Sequence, residues 1–128
     1  MLGLSEELVV IPDTGKLESD LTELLQQVVG GLVDSGARKI ALSVAAAAAD
    51  GDEEVAEVLR SFWERRFSMA AAILDWAHAR GEIRDRGSCD LALENLVTAA
   101  WFKALFSQRL IDLAFVETRV EATMRLIG

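Results

Sequence analysis

The sequence predicts an all-α protein, a single bundle of about five helices that dimerises through its last two. Apolar residues recur in steps of three and four along every long segment, which is the period of a helix and not the alternation of a strand. Proline occurs once, at Pro12, so no later helix is broken by ring geometry and glycines carry the remaining punctuation. The 128 residues fit one domain, 1–128, in which 1–12 read as residual linker, and they are enough to bury about two-thirds of the unfolded surface.

The first helix follows the turn-forming run Pro12, Asp13, Thr14, Gly15. It carries Leu17, Leu21, Leu24, Val28 and Leu32 on one face and is expected to close at Gly30 and Gly31. The second, about Ser35 to Ala49, holds Ile40, Val44 and the alanine run Ala45 to Ala49. Alanine has the highest helix propensity, so the run reads as a closely packed helix and not as low complexity. The third, about Asp52 to Arg80, is the longest, and Asp52, Glu53 and Glu54 stand where the helix dipole favours negative charge. One apolar stripe runs Val55, Leu59, Phe62, Arg66, Met69, Ile73, Trp76, and a second runs Trp63, Phe67, Ala70, Leu74, Ala77. Two adjacent stripes predict neighbours on more than one side, as for a central helix.

Gly81 or Gly87 permits the chain to reverse, and Ser88 or Asp90 can cap a fourth helix that runs to about Phe106. That helix is apolar nearly all round, with only Glu94, Asn95, Thr98 and Lys103 polar within its body. The fifth, capped near Asp112, places Phe115, Arg119, Ala122 and Leu126 on one face and Val116, Val120, Thr123 and Ile127 on another. Two apolar faces on consecutive terminal helices exceed what three other helices bury. A second chain is the simplest cover, giving a four-helix bundle across a twofold axis.

Composition excludes several functions. The formal charge is −8, from 21 acidic and 13 basic residues, which repels a phosphate backbone, so this chain is not expected to bind DNA by itself. Met1 to Ile11 carries Glu6 and Glu7 and not the basic-then-apolar pattern of a signal peptide, and no segment reaches the run of about 18 apolar residues of a membrane span. With Cys89 the only cysteine, the chain reads as a cytoplasmic protein with a free thiol and no membrane partner.

Catalytic and cofactor chemistry finds no purchase either. His78 is the only histidine, so neither a His/Cys metal cluster nor a Ser-His-Asp set can be assembled, and no cofactor is expected. Its place near a helix C-terminus is explained by the dipole. The run Asp50-Gly51-Asp52-Glu53-Glu54 has its glycine too early for a calcium loop and reads as a helix start. Gly15-Lys16 lacks both the earlier glycine and the following hydroxyl of a phosphate loop.

Arg66 interrupts an apolar stripe, so its charge must find a carboxylate such as Glu94, snorkel along its stem, or anchor a ligand. Asn95 and Thr98, on the apolar fourth helix, are open to backbone or interface bonding and to orienting a bound molecule. Phe62, Trp63, Phe67, Trp101, Phe102 and Phe106 concentrate on the third and fourth helices, where they either fill a core or line a cavity. Tyrosine is absent, so a pocket built here is greasy and suits apolar or aromatic molecules.

From Pro12-Asp13-Thr14-Gly15-Lys16-Leu17 onward the chain resembles the C-terminal domain of TetR-family transcriptional regulators. The turn Ala79-Arg80-Gly81-Glu82-Ile83-Arg84 with acidic Asp90, the segment Ala100-Trp101-Phe102-Lys103-Ala104-Leu105 and the terminal helix closing at Gly128 carry the resemblance further. It implies a non-enzymatic effector-binding and dimerisation domain of a repressor, with a small-molecule pocket beside the long central helix. Phe62, Arg66, Met69, Ile73, Asn95, Thr98 and Phe102 are then the expected ligand residues. Trp101, Leu105, Phe115, Arg119, Ala122 and Leu126 are the expected homodimer contacts. DNA would be reached only through a helix-turn-helix unit, which Met1 to Ile11 is too short to hold, as in a piece cut at the domain boundary or a natural stand-alone protein. The alternative is a stand-alone helical dimerisation or scaffold protein with a filled core.

Overall fold

A computed structural model describes residues 10–32, 35–107 and 112–127. Among the described residues five α-helices follow in chain order: α1 (Leu17–Leu32), α2 (Ser35–Ala49), α3 (Glu53–Ala79), α4 (Cys89–Phe102) and α5 (Leu113–Ile127). A short 3-10 turn, Arg86–Ser88, leads into α4, and a π-helical turn, Lys103–Ser107, leaves it. The described residues contain no strand, so the all-α expectation holds. The linker over 1–9, the end at Gly128 and the side chains of Ser88 and Phe106 lie outside the described residues.

Aspartates set two of the helix starts. Asp52 Oδ1 accepts the Val55 N–H at 3.1 Å and opens α3, and Asp112 Oδ1 accepts the Phe115 N–H at 3.0 Å to open α5. Of the two caps expected for α4, Asp90 stands inside the helix and the side chain of Ser88 lies outside the described residues. Asp85 caps the 3-10 turn that precedes α4, through the Gly87 N–H at 3.0 Å, and Asp90 lies in the first turn of α4. Two helix ends use glycine. After α3, the Gly81 N–H reaches His78 O at 3.0 Å and the Glu82 N–H reaches Ala77 O at 2.9 Å, a wrap that needs the left-handed φ of +86° at Gly81. Gly51, at φ +95°, ends α2 in the same way. Gly30 and Gly31 do not close α1, because both keep helical geometry and the helix runs through them to Leu32.

Packing divides the molecule along α3. Its C-terminal half contributes Ala70, Ile73, Leu74 and Ala77 to a core shared with Leu17, Leu21, Leu24 and Leu25 of α1. Leu93, Leu96, Val97 and Ala100 of α4 and Phe115, Val116 and Val120 of α5 complete that core. N-terminal to Ala70 no described α3 residue is buried, nor is any described residue of α2, and these two stretches pack chiefly on each other. The double stripe of α3 thus marks a central helix only over its second half. Trp76, placed on the first stripe, is 36% exposed.

The start of α1 is held by a residue 65 positions away. The Leu17 N–H, an orphan donor of the first helical turn, meets Glu82 Oε1 at 3.3 Å and Oε2 at 3.2 Å. Arg80 binds the same carboxylate, with Nη2 at 2.6 Å and Nε at 3.1 Å from Oε2, and its Nη2 also lies 3.8 Å from Asp20 Oδ2. Asp20 is fully buried, and its Oδ1 accepts the Thr14 N–H at 2.7 Å. The Asp13-Thr14-Gly15 turn, the first turn of α1 and the end of α3 are therefore one polar latch. Burial pushes the Glu82 carboxyl up, but the Arg80 hydrogen bond, the Leu17 N–H and the charges of Arg80 and Lys16 outweigh it and hold the group below the usual carboxylate range.

A carboxyl lowered by folding stabilises the native state above its ordinary pKa of 4.5 and loses that contribution as pH falls through the lower folded value. Glu82→Gln is expected to cost about 1 kcal/mol near neutral pH, with the deficit shrinking on acidification, as measured by urea midpoints across pH. A deficit independent of pH would show that the charge of Glu82 is immaterial. The glycines give opposite signs: Gly81→Ala should destabilise by about 1 kcal/mol because of its φ, whereas Gly30→Ala, inside α1 with open space around it, should stabilise by about 0.5–1 kcal/mol.

Candidate functional site

A group of four aromatic side chains sits at the edge of the core where α3 meets α4, just before the buried half of α3 begins. Phe62, Trp63 and Phe67 stand at helical spacing on α3, and Trp101 reaches them from α4. Trp63 is the hub. Its ring centroid is 4.9 Å from that of Trp101 at 79° and 5.4 Å from that of Phe62 at 80°, both edge-to-face, and 5.8 Å from that of Phe67 at a tilt of 33°. Such pairs prefer edge-to-face contact because the ring edge is positive and its face negative. All four rings are half-buried.

Arg66 joins the cluster on the apolar stripe, with its guanidinium carbon 5.0 Å from the Phe62 centroid, a cation–π contact. It is half-buried, as is Met69. The structure therefore brings together Phe62 and Arg66 of the expected ligand set, with Met69 one helical turn on. The other four residues of that set stand apart from the cluster. Ile73 is fully buried in the core. Asn95 and Thr98 are exposed, and the Thr98 hydroxyl donates to Glu94 O at 2.9 Å in its own helix, which is how an exposed threonine satisfies itself. Phe102 is 64% exposed. Leu91, Asn95, Thr98 and Phe102 follow helical spacing and form the outer stripe of α4, because the inner one is taken by Ala92, Leu93, Leu96, Val97 and Ala100.

The expected dimer residues divide too. Phe115 belongs to the chain's own core, flanked by Lys103 Nζ at 4.5 Å and the Arg119 guanidinium at 5.4 Å from its ring centroid. Trp101 is engaged with Trp63, and Leu105 is half-buried. Arg119, Ala122 and Leu126 remain exposed on α5, Leu126 at 64%. The face of Val116, Val120 and Thr123 turns into the core, where the Thr123 hydroxyl donates to Arg119 O at 2.9 Å.

Two features escaped sequence reasoning. Arg86 clamps the turn before α4 to α3, donating to Asp75 Oδ1 at 2.9 Å and to Asp90 Oδ1 at 3.0 Å. Burial lowers its pKa, but the bonds to Asp90 and Asp75 prevail and raise it, so the clamp is an ion pair at any physiological pH. Asp20 is the second, and it carried a legible signal: a carboxylate three residues after Leu17 interrupts an apolar face just as Arg66 does. Cys89 is buried, its thiol raised by desolvation and donating to Asp85 O at 3.3 Å, which suits a packed thiol and not a nucleophile. Among the described residues no group of His, Cys, Asp or Glu could hold a metal ion, and no helix is long and apolar enough to cross a membrane. An open groove along the first turns of α3, lined by Glu53, Glu54, Ala56, Glu57, Val58 and Arg60, shares no residue with the aromatic cluster.

Comparison with known proteins finds a family model, described as tetracyclin repressor-like, C-terminal domain, that matches residues 11–123. No curated protein matches the chain.

Proposed function

The chain belongs to the tetracyclin repressor-like C-terminal domain family, a family of regulator domains and not of enzymes, and we propose on that premise that it is the effector-binding and dimerisation domain of a transcriptional repressor. It senses a small, largely apolar molecule and relays it to a helix-turn-helix unit outside these 128 residues, through which alone the protein meets DNA. It works in the cytoplasm as a homodimer, with residues 1–128 forming one domain and no cofactor. The observation that carries the reading is the half-buried aromatic cluster of Phe62, Trp63, Phe67 and Trp101, with Met69 beside it, on the central helix of a chain matched by that family from 11 to 123. Relay requires that the effector bind one spacing of the two heads more tightly than the other, since equal affinity shifts nothing.

The exposed stripe of α4 supports the dimer. Leu91 and Phe102 are each 64% exposed at its ends, Asn95 and Thr98 lie between them, and Ala122 and Leu126 offer a second exposed patch on α5. Leucine and phenylalanine side chains of that exposure lose about 1–2 kcal/mol each to water, which a twofold contact recovers. Asn95, Thr98 and Phe102 thereby pass from the ligand to the partner, and Phe115 leaves the partner for the core.

Sedimentation should give twice the chain mass of 13.9 kDa at micromolar concentration, and Phe102→Asp or Leu126→Asp should return the monomer with unchanged helix content. A monomeric wild type sinks the interface. Thermal-shift screening against apolar aromatic compounds should raise the melting temperature with concentration. A flat response across the panel sinks the effector reading and favours a scaffold with a filled core.

A further inference from the structure

We propose that Arg80 is a two-position catch on the strap by which the chain enters the domain. Its guanidinium is shared between Glu82, which it holds here, and the buried Asp20, and the partner it takes sets how firmly residues 10–16 are tied to α1. The catch goes beyond the effector reading and does not rest on it.

Residues 10–16 run back along α1 and are tied to it at both ends. The Gln27 side-chain amide donates to Val10 O at 2.8 Å, Ile11 packs against the core and Pro12 is buried. At the other end the Thr14 N–H reaches Asp20 Oδ1 at 2.7 Å. The Thr14 hydroxyl donates to Lys16 O at 3.2 Å and accepts the Lys16 N–H at 3.3 Å, which closes the turn into α1. The Asp20 tie leads on, through Arg80, to the end of α3.

That tie is incomplete. Asp20 is fully buried, yet its Oδ2 accepts no hydrogen bond, and Arg80 Nη2 stands 3.8 Å from it. A charge-assisted N–H···O bond spans about 2.7–2.9 Å, so the guanidinium is about 1 Å short of its second carboxylate. It is short because it is spent on the first, with Nη2 at 2.6 Å and Nε at 3.1 Å from Glu82 Oε2. Nη2 is the near atom in both pairs, so a move toward Asp20 is made at the expense of the Glu82 bond. Glu82 keeps an anchor in either case, because both its oxygens also face the Leu17 N–H.

The two positions differ in what it costs to lift the strap. A buried carboxylate oxygen without a partner is unfavourable, and lifting Thr14 from Asp20 lets water reach it, so with Arg80 on Glu82 the strap opens cheaply. With Arg80 on Asp20 both oxygens are satisfied, and opening the strap breaks a charge-assisted pair together with the Thr14 bond. The step belongs to one side chain, which leaves α3 at its C-cap and is 28% exposed. A change that draws Arg80 from one carboxylate to the other therefore stiffens or slackens the entry to the domain without repacking the core leucines.

The test is amide hydrogen exchange by NMR on the full chain, read at Thr14, at Leu17 and, as the core reference, at Leu74. Glu82→Gln gives up the charge that holds Arg80. The Leu17 amide is then expected to exchange about fivefold to tenfold faster while the Thr14 amide slows by about the same factor, both taken relative to Leu74. A latch that only adds stability moves both amides faster. Arg80→Met removes the shared group, so adding Glu82→Gln to it should leave Thr14 unchanged; Arg80→Gln serves if the methionine variant fails to fold by circular dichroism. A Thr14 amide that speeds up or stays unchanged in Glu82→Gln, or that still slows when Glu82→Gln is added to an Arg80 variant, overturns the catch and leaves the effector reading untouched.

Discussion

The polar latch of Asp20, Arg80 and Glu82 is the constraint on which the arrangement of the helices depends. A helix N-terminus leaves N–H groups unbonded, and α1 gives one of them, that of Leu17, to a carboxylate just past the end of α3. Arg80 stands between that carboxylate and the buried Asp20, so a charge that would be costly in the interior faces a cation and lies at the positive end of the α1 dipole. Register follows from this. Once the start of α1 is fixed to the end of α3, Leu17, Leu21, Leu24 and Leu25 meet Ile73, Leu74 and Ala77, and α4 and α5 close over the same leucines. The Arg86 clamp repeats the device one turn later, fixing where α4 leaves the end of α3.

Beyond the latch the molecule loosens in a definite direction. α3 is a continuous helix of 27 residues, about 40 Å long, yet only its second half is buried on the core. The first half is supported by α2, a helix of small side chains in which no described residue is buried. Few buried apolar contacts mean a low free energy of local opening, so the half of α3 that carries Phe62 is held less firmly than the half that carries Ile73. The aromatic cluster stands at this boundary, where one end of the helix is anchored and the other is held less firmly.

Much of this was legible in the sequence because it rests on local rules. The helical period located α2, α3 and α5 to within a residue or two, and Asp52 and Asp112 declared their helix starts through short side chains that reach the nearest N–H. Gly30 and Gly31 misled because glycine permits a helix end without requiring one. The site was harder to read for a different reason. On a helix that is apolar nearly all round, the period does not say which stripe faces inward, and it did not show that Asn95, Thr98 and Phe102 would stand exposed on the outer one. Long-range polar pairing was hidden altogether: nothing local tells Glu82 that its partner is Leu17, although the two turns that carried the family resemblance prove to be the two halves of one latch.

Consecutive residues on α4 connect the two proposed surfaces. Successive side chains on a helix are turned by about 100°, so Trp101 can lie against Trp63 while Phe102 faces solvent at 64% exposure. The two share one stretch of backbone. The α-helical hydrogen bonding gives way to a π turn at Lys103, directly after Phe102, and such widened turns sit in a helix at a cost in regularity and commonly where function requires it. Under the proposed function, a ligand that displaced Trp101 would shift the end of α4 and Phe102 with it, while the core leucines held by the latch kept their places. The anchored half of α3 and the latched α1 supply the fixed frame, and in the proposed homodimer the end of α4 would be the element that carries a difference in binding energy from the aromatic cluster to a second copy.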